Sequence, residues 1–145
     1  MTFEASAVLV HLRIIGLFLA VLAVMNLFIP GRFHWREEMA SLSLLNRQVV
    51  IAHTAFIILI LVLSSVLLLT CSDLLLDGTR LSRAVLAGLT IFWGMRMLAQ
   101  WFFYSPAVWR GNSFNTAMHC FFSVTWVYMT ATFASALWLT VPRAE

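Results

Sequence analysis

The sequence predicts an all-α integral membrane protein, built as an up-down bundle of four membrane-spanning helices. Three observations predict this fold class: 62% of the 145 residues are hydrophobic, only 10% are charged, and the apolar residues form four long runs. A soluble domain is about half apolar and about a quarter charged, because polar groups must cover its surface. Lipid is the solvent that fits this composition, and the length suits a single transmembrane domain, residues 1–145.

Each apolar run is long enough to supply the ~20 residues that cross the hydrocarbon core of a bilayer as a helix. The runs cover about residues 7–29, 49–70, 84–104 and 117–141. Pro30-Gly31 follows the first run and predicts its end. Strands are excluded as spans, because a membrane barrel needs short alternating segments and Phe56 to Leu69 is almost continuously apolar. Helices then remain as the way to satisfy the backbone within lipid.

The connection after the first run predicts a short amphipathic helix, about residues 34–46, in the headgroup region. Trp35, Met39, Leu42 and Leu45 fall on one face of such a helix. Arginines near the helix ends number four on each side of the membrane. The positive-inside rule therefore gives no orientation. The arginines form no stripe, which argues against a nucleic-acid partner.

The informative residues are the polar ones inside the predicted spans, because an ionisable side chain in lipid is costly without a partner. His53, Arg96 and His119 lie in the second, third and fourth helices, toward the side that carries the loops after the first and third helices. Trp93, Arg96 and Gln100 share one helical face, as do His119, Ser123 and Trp126. We expect these faces to meet inside the bundle, whereas His11 lies toward the opposite side and is left out of the site.

Three kinds of ligand suit this pattern. His53 and His119 could be axial ligands of a b-type haem, with Arg96 or Arg110 near the propionates. Zinc, iron or copper could bind His34, His53, His119 and either Glu37 or Glu38, with Cys120 as a thiolate alternative. A quinone or an anionic lipid headgroup could bind in a polar notch formed by Arg96, Gln100 and the histidines. In the structural alternative, the same side chains only hydrogen-bond across helices.

Three stretches carry a family resemblance: FHWREEMASLSLLNRQVVIAH (residues 33–53), FWGMRMLAQWFFYSPAVWRG (residues 92–111) and the following His119. With them, most of the chain resembles a small family of four-helix bacterial integral membrane proteins that has no assigned activity. The resemblance implies the fold and a multi-pass location in the bacterial cytoplasmic membrane. It implies no catalytic residue.

Two functions therefore stay open. The first is a membrane protein with a polar His/Arg site near one membrane face that binds haem, a metal ion or a quinone. The second is a non-catalytic accessory or assembly subunit of a larger membrane complex, or a homo-oligomer within the lipid bilayer. A transporter is disfavoured because no carboxylate lies within a predicted span to relay protons. Whether the protein is an enzyme is left undecided by these residues.

Overall fold

A computed structural model of the protein describes residues 3–32, 37 and 39–142. These residues form helices and turns and contain no strand, so the predicted all-α class is confirmed. The elements are α1 (Phe3–Arg32), a 3-10 turn (Met39–Ser41), α2 (Leu44–Thr70), α3 (Ser72–Leu75), α4 (Arg80–Phe102), α5 (Pro106–Trp109) and α6 (Ser113–Thr140).

The four long helices are long and apolar enough to cross a membrane: Phe3–Phe28 within α1, and the whole of α2, α4 and α6. Large apolar side chains stay exposed along them, as at Leu17, Val21, Ile57 and Val124. A soluble monomer rarely exposes a continuous apolar surface of this kind. The four helices are therefore compatible with a multi-pass integral membrane protein.

The long helices begin four to five residues earlier than predicted, and α1 also ends later. Hydropathy marks only the part of a helix that matches the hydrocarbon core, and the polar residues at each start continue the same helix. Pro30-Gly31 was expected to end α1, but the helix continues to Arg32. Proline lacks one N–H donor, and this loss affects only the last turn. The helix therefore extends three residues past the predicted end at Ile29, whereas its apolar candidate span ends at Phe28.

The predicted interfacial helix, about residues 34–46, is not continuous in its described part. Residues 33–36 and 38 lie outside the described residues. Met39–Ser41 form a 3-10 turn, and α2 begins at Leu44. The hydroxyl of Ser43 accepts a hydrogen bond from the backbone N–H of Asn46 at 3.4 Å, which makes Ser43 the N-cap of α2. This cap separates the two helical segments.

The chain divides into two compact units. The first unit consists of Met1–Leu12 and Asp73–Glu145, and the second of Arg13–Ser72. The prediction of one transmembrane domain over residues 1–145 stays a prediction.

In the second unit, α1 and α2 pack closely at Gly16. The hydroxyl of Ser65 donates to the carbonyl oxygen of Gly16 at 2.8 Å, across the two helices. A Cβ atom on Gly16 would lie 3.0 Å from both Leu68 Cβ and Leu69 Cγ. Glycine therefore sets the distance between these helices, around a core that includes Ile15, Leu19, Leu61 and Leu68.

In the first unit, α4 and α6 pack antiparallel. Trp93 contacts Trp126 and Gln100 contacts His119, so residue numbers fall along α6 as they rise along α4. Leu86, Met129 and Phe133 are fully buried in this unit. The packing places the polar face of α4 against the polar face of α6, as the sequence predicts.

Side-chain caps and two glycines define where α4 and α6 begin. The hydroxyl of Thr79 accepts from the backbone N–H of Ser82, and the side chain of Asn112 accepts from that of Asn115, both at 3.1 Å. Gly78 and Gly111 precede these caps with φ angles of 75° and 87°. The backbone N–H of Thr79 also donates to the exposed Asp77 carboxylate and lowers the pKa of that group.

Gly16→Ala is expected to destabilise the protein by about 1–3 kcal/mol, because the new methyl group overpacks the contact with Leu68 and Leu69. Gly88→Ala is the matched control, since a Cβ atom there meets nothing within 4 Å among the described residues. That change should stabilise α4 by about 0.5–1 kcal/mol through helix propensity. Unfolding of the detergent-solubilised protein measures both variants. Equal effects of the same sign would contradict the close packing at Gly16.

Gly78→Ala is expected to destabilise the protein by about 1–2 kcal/mol, because a residue with a Cβ atom is strained at this positive φ. Steric contact is not the cause, since the nearest described atom to that Cβ would be the Thr140 carbonyl oxygen at an ordinary 3.6 Å. Gly78→Asn should recover part of the loss, because asparagine tolerates the left-handed region better. The same unfolding measurement tests the pair, and an alanine variant as stable as wild type refutes the strain.

Candidate functional site

The candidate site is centred on Gln100, near the end of α4, and lies within the first unit. Only 6% of the Gln100 surface is exposed. Its side-chain amide contacts Arg96 on the same helix and both Trp126 and His119 on α6. We call these four residues the Gln100 network. Arg96 and His119 each lie six residues from their helix ends, or roughly 9 Å along the axis.

The partners of Gln100 fix the orientation of its amide. Its Oε1 atom accepts hydrogen bonds from Arg96 Nη1 and from Trp126 Nε1, each at 3.4 Å. A guanidinium and an indole N–H can only donate, so the amide oxygen must face them. The amide nitrogen then faces His119 Nδ1 at 2.9 Å.

The orientation of the amide in turn fixes the tautomer of His119. The amide N–H of Gln100 donates to Nδ1, so Nδ1 acts as the acceptor and carries no hydrogen. The neutral imidazole then carries its hydrogen on Nε2. His119 therefore offers a hydrogen-bond donor, and not a lone pair, at its remaining nitrogen.

Aromatic rings surround the Gln100 network. Trp109, from α5, stacks on the His119 ring with 4.5 Å between centroids and 6° between planes. On the other side of Gln100, the Trp126 ring stacks on Trp93 at 5.2 Å and on Phe122 at 5.5 Å. These planar contacts hold His119 and Trp126 in the orientations that their bonds to Gln100 require.

Arginine side chains lie over aromatic rings at both ends of this arrangement. The guanidinium carbon of Arg96 is 5.1 Å from the Trp126 centroid and 5.7 Å from the Tyr104 centroid. That of Arg110 is 5.3 Å from the Trp109 centroid. Cation–π contacts of this length stabilise a charge without a carboxylate. The site is therefore positively charged and rich in donors.

Several buried donors near the network have no hydrogen-bond partner within the described part of the chain. They are the indole N–H groups of Trp93 and Trp109 and the hydroxyl of Ser123. Threonines elsewhere in the long helices donate to the carbonyl oxygen four residues earlier, as Thr90 and Thr130 do. Ser123 lies between His119 and Trp126 on α6, and among the described residues it makes no such bond. This set of donors suits a ligand oxygen atom that accepts hydrogen bonds.

Of the predicted site residues, the structure brings Arg96, Gln100 and His119 together. His53 belongs to the second unit, and its ring is exposed. Its Nδ1–H donates to the carbonyl oxygen of Val49 on its own helix at 2.8 Å, so the neutral ring has its lone pair on Nε2. A site shared by His53 and His119 stays a prediction.

The predicted metal site of His34, His53 and His119 also stays a prediction. His34 lies outside the described residues. Among residues 3–32, 37 and 39–142, no group of three or more His, Cys, Asp or Glu side chains is arranged to hold a metal ion. Cys120 is an exposed free cysteine.

His11 was left out of the predicted site, but it makes a specific contact in the first unit. Its Nδ1 atom lies 2.8 Å from the hydroxyl of Tyr128, and the two rings meet edge to face at 5.8 Å. The contact joins α1 to the middle of α6. The sequence shows both His11 and Tyr128 as polar residues within apolar runs. It does not show that they pair, because they are far apart along the chain.

Trp109 is the other contributor that the sequence did not identify individually. The loop containing it was expected near the polar residues, yet its stacking on His119 depends on the short helix α5. The Ser105 hydroxyl caps α5 by accepting from the Ala107 N–H, and Pro106 occupies the first helical position. In the sequence, Ser105-Pro106 ahead of Trp109 was the signal that a short helical turn begins there.

No protein-family model matches this chain. No curated protein matches it, and no solved structure matches it.

Gln100→Leu is expected to lower the free energy of unfolding by about 2 kcal/mol, because Arg96, Trp126 and His119 each lose a partner. Gln48→Leu is the control, since Gln48 is exposed near the start of α2 and its replacement should change stability by less than about 0.5 kcal/mol. Unfolding in mixed detergent micelles gives both values. Equal shifts in the two variants would show that the buried amide contributes nothing specific.

Proposed function

We propose that the protein binds the head of a membrane-soluble quinone at the Gln100 network. The observation that supports this most directly is the donor at His119 Nε2, which follows from the bond between Gln100 and Nδ1. A quinone carbonyl oxygen is a neutral acceptor that matches such a donor. The flat Trp109 ring, which is only partly buried, suits a planar ligand.

The same observation disfavours His119 as a haem or metal ligand. A metal-bound imidazole uses the lone pair of one nitrogen and usually donates from the other nitrogen to an acceptor. His119 has the opposite arrangement, because its Nδ1 accepts from Gln100. Metal binding at Nε2 would require the imidazole to lose its Nε2 hydrogen or to break the bond to Gln100.

Arg96 supports the proposal through charge. It is partly buried, and it contacts Gln100, Tyr104 and Trp126. A guanidinium so placed raises the local positive potential, which favours electron-rich oxygen on a ligand. An anionic phospholipid headgroup offers the same oxygen chemistry and is therefore the competitor that an experiment must separate from a quinone.

Titration of the detergent-purified protein with decylubiquinone, followed by calorimetry, tests the proposal. We expect saturable binding that weakens about tenfold in His119→Ala and in Gln100→Leu, the loss of one good hydrogen bond. Gln48→Leu should bind as wild type does. Absence of saturable binding, or equal binding by all these variants, would refute the quinone site.

Further measurements on the same purified protein test the rival ligands, which are haem, a metal ion and an anionic lipid headgroup. A Soret band in the visible spectrum, or stoichiometric metal by elemental analysis, would favour haem or metal. Phosphatidylglycerol that displaces the quinone, and itself requires His119, would favour an anionic headgroup. Colourless, metal-free protein that binds none of these and co-purifies with a fixed partner would favour the accessory role.

His53→Ala is informative in the same titration. Weaker quinone binding would support the predicted site shared by His53, Arg96 and His119. Unchanged binding would assign the quinone to the first unit alone. The proposed location remains the bacterial cytoplasmic membrane, supported by the family resemblance together with the four candidate spans.

A further inference from the structure

A second feature of the first unit is a groove between the start of α1 and the end of α6. Its volume is about 450 Å³, and it opens to the surroundings. The described residues that line it come from these two helices: Glu4, Val8, Ala134, Ser135, Trp138 and Leu139. None of these six belongs to the Gln100 network.

The groove combines one negative charge with an aromatic ring. Among the six described lining residues, Glu4 is the only ionisable one, and none is basic. Trp138 is 73% exposed, so most of the indole is open to contact. The other lining residues are aliphatic apart from Ser135. The small residues Ala134 and Ser135 lie one turn before Trp138 on the same face of α6.

A carboxylate next to an exposed indole is the combination that recognises a cation with apolar substituents. The carboxylate attracts the charge, and the indole face adds a cation–π contact. Apolar walls favour the uncharged groups that surround the cationic centre. A strongly hydrated ion such as Na⁺ gains little from these walls.

His11 and Tyr128 lie on the two helices that form the groove, and neither is among the described residues that line it. Val8 lies three residues before His11, and Ser135 lies seven residues after Tyr128. The hydrogen bond between His11 and Tyr128 joins the two helices that form the walls. From Glu4 to Val8, the two described groove residues on α1, the distance along the helix is roughly 6 Å, and the volume of about 450 Å³ is enough for a compact organic cation.

We propose that this groove binds a lipophilic cation, with its charge at Glu4 and Trp138 and its apolar groups against Val8, Ala134 and Leu139. The site is independent of the proposed quinone site, because the two share no residue. It also gives a role to the acidic residue in the first turn of α1.

Tetraphenylphosphonium and tetraphenylborate form a matched pair of probes, because they have nearly the same shape and opposite charges. In nonionic detergent, equilibrium dialysis should detect saturable binding of tetraphenylphosphonium and at least tenfold weaker binding of tetraphenylborate. Equal binding of the two ions would overturn the proposal, since shape and hydrophobicity alone would then explain it.

Variants locate the bound cation. Glu4→Gln should weaken tetraphenylphosphonium binding at least tenfold, and Glu4→Asp should retain most of it. Trp138→Leu should weaken binding several-fold. Glu37→Gln is the control for loss of an exposed carboxylate, because Glu37 is exposed and lies outside the groove, and it should bind as wild type does.

Circular dichroism establishes that each variant is folded before dialysis. Wild-type affinity in both Glu4→Gln and Trp138→Leu would overturn the proposal. His119→Ala should leave tetraphenylphosphonium binding unchanged, so failure of the cation site and failure of the quinone site are distinguishable. Loss of cation binding in His119→Ala would also overturn the assignment to this groove.

Discussion

The arrangement of the first unit depends on one buried amide, that of Gln100. It accepts from two groups that can only donate, and it donates to an imidazole nitrogen that must accept. A glutamate carboxylate could accept from Arg96 and Trp126 but could not donate to His119, and a leucine could do neither. The Gln100 amide thus links the charged Arg96 on α4 to the tautomer that His119 adopts on α6.

The structure also explains how an arginine is accommodated in a candidate membrane span. Arg96 is surrounded by Trp126, Tyr104 and the Gln100 carbonyl oxygen. A guanidinium is planar and weakly hydrated, so it tolerates aromatic surroundings better than an ammonium group does. Its contacts with Gln100 and Tyr104 run toward the C-terminal end of α4, the direction in which a long basic side chain reaches the membrane surface. Arg96 can therefore stabilise the packing around Gln100 and also take part in binding a ligand.

Much of this arrangement was predictable from the sequence, because it follows from helical periodicity. The polar stripe of Trp93, Arg96 and Gln100 on one helix, and that of His119 and Trp126 on another, are spaced by one or two turns. Four apolar runs identified the long helices that bring these stripes together. The sequence thus placed Arg96, Gln100 and His119 on helix faces that were expected to meet, but it did not identify Gln100 as their common partner.

Other features were not predictable, because they depend on short-range geometry or on contacts distant in sequence. The tautomer of His119 requires the amide orientation, which only the Arg96 and Trp126 contacts reveal. The cap at Ser43 breaks an amphipathic pattern that looks continuous in sequence. The pairing of His11 with Tyr128 joins residues 117 positions apart. Hydropathy also underestimates helix length, since it ignores polar residues at helix ends.

The first unit is discontinuous in the chain, and this has a consequence for how the protein is made. His11 leaves the ribosome long before Tyr128, its partner on α6, has been synthesised. The second unit is contiguous, so the hairpin of α1 and α2 can complete its own contacts while α6 is still absent. Until translation reaches α6, the polar groups of Glu4 and His11 must be accommodated by lipid, water or the insertion machinery. Biogenesis is thus most vulnerable in the interval before α6 is inserted.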